Sequence, residues 1–384
     1  MTGSTIYLDH CATTPVRSEV MEAMLPFLTA DFGNAGSIHA FGRVAKAAVD
    51  HAREQVAALL NADPREIIFT SGGTESDNLA IRGTIAAAPP SRRGVVVSTI
   101  EHHAVLHAAG YARRYDGADL RAVPVDAAGR VDPDEVASLM DDTTAVVSVL
   151  HVNNETGVVQ PIERIAERCA ERGVVFHTDA VQSVGRVSLD VQRTPVSLAA
   201  LSGHKLYAPK GVGACYLRKG VELVPQSAGG AQERGRRAGT ENVPGIVALG
   251  VACELARTEM AQEAERLTRL RDRLEAGILE TVPNAYVNGG GADRSPHVLN
   301  MCFKAADGES LILALDMEGI AVSSGSACSA GSLDPSHVLL AMGQSREAAQ
   351  SALRFSFGRA NSADDVNRVL SILPGIVQRA RRSE

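Results

Sequence analysis

Between about residues 65 and 220, short apolar runs alternate with helical stretches, and no other feature of the 384-residue chain narrows its fold as far. EIIFT (66–70), GVVVST (94–99), TAVVSVL (144–150), GVVFHTD (173–179) and VSLAALS (196–202) are continuous apolar runs of strand length. Helical patterns such as SDNLAIRGTIAAA and PIERIAERCAERG lie between them, the second stopped by Gly173. Strands that are apolar on both faces need cover on both faces, so the alternation predicts an α/β fold with a mainly parallel sheet between helices. GVGACYL (211–217) follows its predecessor after a short Pro/Gly turn and is expected to pair antiparallel with it. Residues 254–280 read as a long amphipathic helix, with Leu267, Leu270, Leu274 and Ile278 at helical spacing. After it, VPNAYVNGGG, HVLNMCF, IAVSS and ALRFSF are strands set among turns and helices, the pattern of a smaller α+β domain. The boundary is expected near residue 255. That makes 15–255 the large domain, with 1–14 and 256–384 the small one.

Composition excludes several function classes. The net charge of −7 asks for neither nucleic acid nor an anionic membrane surface. No apolar run approaches a membrane-spanning length. The start, MTGSTIYLDH, lacks the basic and apolar regions of a secretory signal and reads as the first strand. The six cysteines (Cys11, Cys169, Cys215, Cys253, Cys302 and Cys328) are scattered, with no C-x-x-C, which fits free thiols in a reducing cytoplasm. Cys169, Cys215, Cys253 and Cys302 sit in apolar patterns and are expected to pack as small hydrophobes. Cys328 is different: SSGSACSAGS surrounds it with nothing to pack against.

Ligands of open α/β folds bind at the carboxyl ends of the parallel strands. Here those ends are TSGGTESDN, STIEHHAV, LHVNNETG, HTDAVQS and LSGHKLYAPKG, rich in hydroxyls, amides, histidines, one acid and one lysine. TSGGTESDN (70–78) reads as a strand, a Gly-Gly turn and a helix opening at Thr74, with Thr74 and Asp77 as a capping box and exposed N–H groups as an anion site. It is neither a Walker loop nor G-x-G-x-x-G, so a nucleotide is not expected. Lys205 stands just past a buried strand, where desolvation eases the neutral amine that a Schiff-base lysine needs. Asp179 ends GVVFHTD, and a buried carboxylate there must be paired or functional. A lysine for an aldehyde, an acid for a pyridinium nitrogen and an anion cradle at Gly73-Thr74 together point to pyridoxal phosphate. His102 can stack on a planar cofactor or move protons. His103 and His107 have the i, i+4 spacing of metal ligands, but no H-E-x-x-H or cysteine cluster goes with them, so no metal is expected. In ALRFSF, alternation turns Arg354 out of the core, free to offer a bidentate fork to a carboxylate. ERGRR (233–237) is basic without interleaved aromatics and reads as an ion-paired or interface loop.

Assembled, these residues resemble the cysteine desulfurases of the nitrogen-fixation and iron–sulfur-cluster type. That group is a branch of the class V aminotransferases, which are fold type I pyridoxal-phosphate enzymes. YLDHCATTPV, FTSGGTESDNLAI, EHHAVL, HVNNETGVVQ, HTDAVQSVG, SGHKLYAPKGVGA, GRRAGTENV, SSGSACSAGS and LRFSFGR match in order over nearly the whole chain. The resemblance implies a large domain with a mainly parallel seven-stranded sheet and a smaller α+β domain. It implies pyridoxal 5′-phosphate on Lys205, with its phosphate held by Gly73, Thr74, Ser202, Gly203 and His204 and by Thr240 of a second subunit, hence a homodimer with shared sites. It further implies Asp179 on the ring nitrogen, Gln182 on the phenolic oxygen, His102 over the ring, and Asn154 and Arg354 on the substrate.

On this reading, Cys328 takes the sulfur of L-cysteine as a persulfide, alanine leaves, and an acceptor protein collects the sulfur near the Cys328 loop. His102 is the candidate base for the Cys328 thiol. The small residues around Cys328 are expected to let it travel between cofactor and acceptor. Another pyridoxal-phosphate reaction, transamination or a lyase reaction on selenocysteine or cystine, would need Lys205 but not Cys328. A protein that binds without catalysis on a decayed scaffold is the remaining reading. Cys11 stands where relatives often carry Ala, Ser or Asn and is expected to be a spectator near the active-site entrance. Ala231 and Arg234 stand where relatives often have Gly and His. The chain stops at RARRSE, short of the tail with which relatives dedicated to general cluster assembly dock their scaffold protein.

Overall fold

The computed structural model describes residues 5–325 and 334–381. Among them are twelve strands: β1 (Ile6–Tyr7), β2 (Ile67–Thr70), β3 (Gly94–Ser98), β4 (Asp119–Val123), β5 (Thr144–Ser148), β6 (Val175–Asp179), β7 (Leu198–Ser202), β8 (Gly213–Leu217), β9 (Ala285–Val287), β10 (Val298–Phe303), β11 (Ile320–Ala321) and β12 (Ala352–Ser356). Seven form one sheet in the order β2-β8-β7-β6-β5-β3-β4. Only β8 runs against its neighbours, as the short turn before it implies. Every residue of β2, β3, β5, β7 and β8 is buried, which is why those segments read as unbroken apolar runs. The sheet is thus the mainly parallel, helix-covered one expected. The strand without an apolar signature is β4: it lies on the edge with Asp119 and Ala122 exposed, so solvent replaced the pattern that marks the others.

The remaining strands make a three-stranded antiparallel sheet, β12-β10-β9, and a two-stranded parallel pair, β1-β11. The first strand therefore belongs with the C-terminal part of the chain. The long amphipathic helix begins earlier than its periodicity suggests, spanning Val243–Thr281. Val243 to Cys253 pack into the core around the large sheet, while Leu267, Leu270, Leu274 and Ile278 pack with Phe303, Phe355 and Phe357 around the smaller sheets. Residue 255 falls inside this helix. Cys169, Cys215, Cys253 and Cys302 are buried, as expected of small hydrophobes. No helix among the described residues is long and apolar enough to cross a membrane. Cys328 lies outside the described residues.

Candidate active site

The carboxyl ends of the parallel strands open onto a cavity of about 610 Å³. Its lining includes Gly73, Thr74, His102, Asn154, Asp179, Gln182, Ser202, His204, Lys205 and Arg354, residues far apart in the chain. Gly203 sits between Ser202 and His204 and is buried; a Cβ there would meet Val212 Cγ1 at 2.9 Å, so the turn after β7 is held by close packing. Thr240 does not line this cavity and is exposed.

The helix after β2 spans Gly73–Ala87 with Gly72 as N-cap and no side chain capping it. This corrects the expected Thr74/Asp77 capping box: the helix opens earlier than Thr74, which rotates Asp77 onto a buried face. Glu75 accepts from the Ser71 N–H, ahead of the helix, at 2.7 Å, and it pairs with Arg237 at 2.9 Å. Gly73 is needed for fit, since a Cβ there would stand 2.7 Å from Val181 Cγ2. The result is a helix N-terminus bare of side-chain caps at the cavity, beside the Ser202 and His204 side chains, the arrangement that binds a phosphate. Burial, then the charges of Lys205 and Lys210, lower His204 to about 4, so at neutral pH its ring adds no charge of its own.

Lys205 follows β7 and donates to the carbonyls of Cys11 and Ala12, the latter at 2.7 Å. The Gln182 amide donates to the same Cys11 carbonyl at 3.0 Å. Cys11 matters here through its backbone. Its thiol is buried against His297 Nε2 at 3.5 Å, and burial pushes it above the usual thiol range. The expected spectator at the entrance is therefore a buried thiol whose peptide carbonyl steadies Lys205.

Asp179 ends β6 and accepts from the Val181 N–H at 2.9 Å. Burial raises its pKa, opposed by His102, that same N–H and Lys205. His102 caps the helix His103–Tyr115: its Nδ1 accepts from the Ala104 N–H at 3.1 Å, so the cap occupies Nδ1 and not Nε2. The His103 and His107 rings meet at a tilt of 34°, centroids 5.1 Å apart, and the His103 ring lies 4.7 Å from that of His337. The loop ERGRR is ion-paired as expected: Glu233 accepts both bonds of the buried Arg53 fork.

Arg354 corrects its expected environment. Alternation does turn it away from Leu353, Phe355 and Phe357, but it is only 2% exposed. Its guanidinium donates to Asp9 at 2.8 Å and to the carbonyls of Asn154 at 2.9 Å and Gly325 at 3.3 Å, while Nε has no partner among the described residues. Sequence reading missed Asp9, the Cys11 and Ala12 carbonyls, and the buried acids Asp77, Glu101 and Glu155. The acid in YLDH was visible, but its partner lies more than 300 residues away.

The aminotransferase class-V family model matches residues 6–369, and the chain belongs to that family. The cysteine desulfurase IscS of Methanosarcina thermophila is 48% identical over 376 residues, 98% of this chain and 93% of that protein. A solved NifS-like protein superposes with a TM-score of 0.91 at 35% identity, over 97% of this chain and 99% of that one. SspA in complex with cysteine superposes with 0.81 at 36% identity, over 92% and 99%. The fold is that of a fold type I transferase, and its cofactor is pyridoxal 5′-phosphate. The cavity residues fit that group: a bare helix N-terminus with a tightly packed glycine, a lysine held by carbonyls, and a strand-end carboxylate.

Proposed function

We propose that the chain, a pyridoxal-phosphate-dependent cysteine desulfurase, moves sulfur from L-cysteine onto Cys328. One observation carries this reading: a lysine, a strand-end aspartate, a histidine, a bare helix N-terminus and an arginine from distant stretches line one cavity. Lys205 is the attachment point. Gly73, Thr74, Ser202, Gly203 and His204 hold the phosphate, Asp179 pairs with the ring nitrogen, and Gln182 meets the phenolic oxygen. When bound, the cofactor supplies an aldehyde for the substrate amine and an electron sink for its α-carbon.

The chain's own residues do the rest. The Arg354 fork takes the substrate carboxylate in a water-poor setting, where a charge-assisted pair is strong, and Asn154 orients the substrate beside it. His102 stacks on the ring and moves protons at Nε2. The Cys328 thiolate attacks the substrate sulfur. An S–S bond forms as the substrate's C–S bond breaks, alanine leaves, and Cys328 keeps the sulfur as a persulfide.

Two features support a homodimer with shared sites. Thr240 is exposed and off its own cavity. Leu25, Leu28, Phe32, Ile38 and Phe41 are exposed large apolar side chains close together in the chain. A division into 15–255 and 1–14 with 256–384 is supported by the change of core along Val243–Thr281. Free cysteines fit a cytoplasmic setting. The sulfur acceptor is a protein docking near Cys328, in iron–sulfur cluster assembly or in thiolation of tRNA, DNA or a cofactor.

Alanine and protein-bound persulfide formed from L-cysteine test the reading in the native chain and in Cys328→Ala. Loss of the persulfide and of nearly all turnover is expected. A Cys328→Ala chain that still releases sulfide at near the native rate leaves a lyase reaction, such as one on selenocysteine or cystine, as the better account.

A further inference from the structure

Asp77 has no part in the chemistry so far, yet it is one of the most deeply buried acids in the molecule, 1% exposed on the cavity side of the helix Gly73–Ala87. Its Oδ1 has no hydrogen-bond partner among the described residues. His177 Nε2, also unpartnered, lies 3.5 Å away. Asp77, Asp179 and His102 each bring one atom within 4.8 Å of the other two. His177 stands two residues before Asp179 on β6, so both face the same side of the sheet. The other ring nitrogen of His177 is 2.9 Å from the Ser148 hydroxyl. Beyond Ser148, which acts to lower the Glu101 pKa, Glu101 Oε1 accepts from the Ser98 hydroxyl at 2.5 Å and the Leu150 N–H at 2.8 Å. A buried file of polar groups therefore runs from Asp179 through Asp77, His177 and Ser148 to Glu101.

Two buried carboxyls this close cannot both ionise at low cost. Asp179 has a backbone N–H, with His102 and Lys205 favouring its charge. Asp77 faces Asp179 and Glu101, both acids, and the buried thiol Cys215 on β8. The proton belongs on Asp77, whose acid form can donate to His177 Nε2, with Nδ1–H then turned toward Ser148. Burial, then the charges of Asp179 and Glu101, raise Asp77 well above the carboxylate range, in keeping with that placement.

We propose that Asp77 is a positioning residue, a neutral carboxylic acid held against His177, which leaves Asp179 as the single anion facing the cofactor's ring nitrogen. The proposal rests on the assignment of Asp179 to that nitrogen. Its test is reconstitution of the apoprotein with pyridoxal phosphate. Two quantities are read: the dissociation constant and the pH midpoint of the bound cofactor's visible absorbance. The proteins compared are the native chain, D179N, D77N and D77A. D77A is expected to bind about tenfold more weakly, with a displaced midpoint, the effect of roughly one lost buried hydrogen bond to a charged network. D77N keeps a neutral donor toward His177 and is expected to hold both readouts close to native.

A D77N protein as impaired as D77A overturns the proposal, because an ionised Asp77 would then be the working form. A D77A protein with native affinity and midpoint but a lower melting temperature overturns it too, because the role would then be structural. If D77A does not fold, D77N decides: native readouts uphold the proposal and a displaced midpoint overturns it. A D179N protein that binds cofactor like the native chain removes the Asp179 assignment and the proposal together. Weakened D179N beside an unaffected D77A overturns the proposal alone.

Discussion

Asp179 and Lys205, on the sheet side of the cavity, stand at or just past the end of a buried strand. Arg354, on the opposite side, is held by Asp9, Asn154 and Gly325, three stretches that meet only in the folded chain. On the sheet side a strand end and the turn after it deliver the group, so local pattern is enough. On the Arg354 side, a strand of the three-stranded sheet is bridged to the N-terminal segment by Asp9 with Ser356 and to the segment after β11 by Ser323 with Arg354. The arginine's orientation is a property of that junction. Damage on the sheet side should therefore remove cofactor chemistry, and damage on the junction side should alter substrate binding.

The largest expected effect tests the first half of that contrast. Lys205→Ala should lower turnover on the order of 10⁴-fold and abolish the visible absorbance of attached cofactor, measured together on the reconstituted protein. Retention of that absorbance would falsify Lys205 as the attachment point. Arg354→Lys should spare the absorbance while kcat/KM for L-cysteine falls by about 2–5 kcal/mol, mostly through KM, because a single ammonium cannot replace a buried fork. An equal loss of cofactor binding would erase the distinction between the two sides.

Gly73→Ala should cost about 1–3 kcal/mol of cofactor affinity, since the new methyl meets Val181 at 2.7 Å. Titration with pyridoxal phosphate reads this directly, and unchanged affinity would mean that the helix opening yields without cost. The remaining effect is on stability. Glu101 is raised to about 8, first by burial, against an ordinary value of 4.5. Between those values the folded chain holds a proton that the unfolded chain has released, so stability falls as pH rises through that window. Glu101→Gln should flatten the dependence by at most about 1.4 kcal/mol per pH unit. Urea unfolding of the apoprotein across the window measures it, and an unchanged slope would count against a protonated Glu101.

Much of the sheet side was legible because each functional group there is punctuation at the end of an apolar run. GVVFHTD ends in Asp179, and VSLAALS leads into Ser202, Gly203, His204 and Lys205. Where reading failed, a tertiary contact had overridden a local rule. Thr74 and Asp77 have the spacing of a capping box, but Gly72 opens the helix and Asp77 turns inward to His177. β4 was invisible because an edge strand need not be apolar. Arg354 was read by alternation as leaving the core, and it does face away from the phenylalanines, into a second buried environment that alternation cannot foresee.

By itself, then, the sequence determined the α/β layering, the strand ends that carry chemistry and the kinds of group they present, because hydrophobic period and turn chemistry act over a few residues. Only the tertiary structure decided that Lys205 rests on the Cys11 and Ala12 carbonyls, that Asp9 steadies Arg354, and that Asp77 and Glu101 share buried ground behind Asp179. Those facts depend on which groups lose water together. Desolvation and short-range electrostatics are set by distance in space, which the order of residues does not contain.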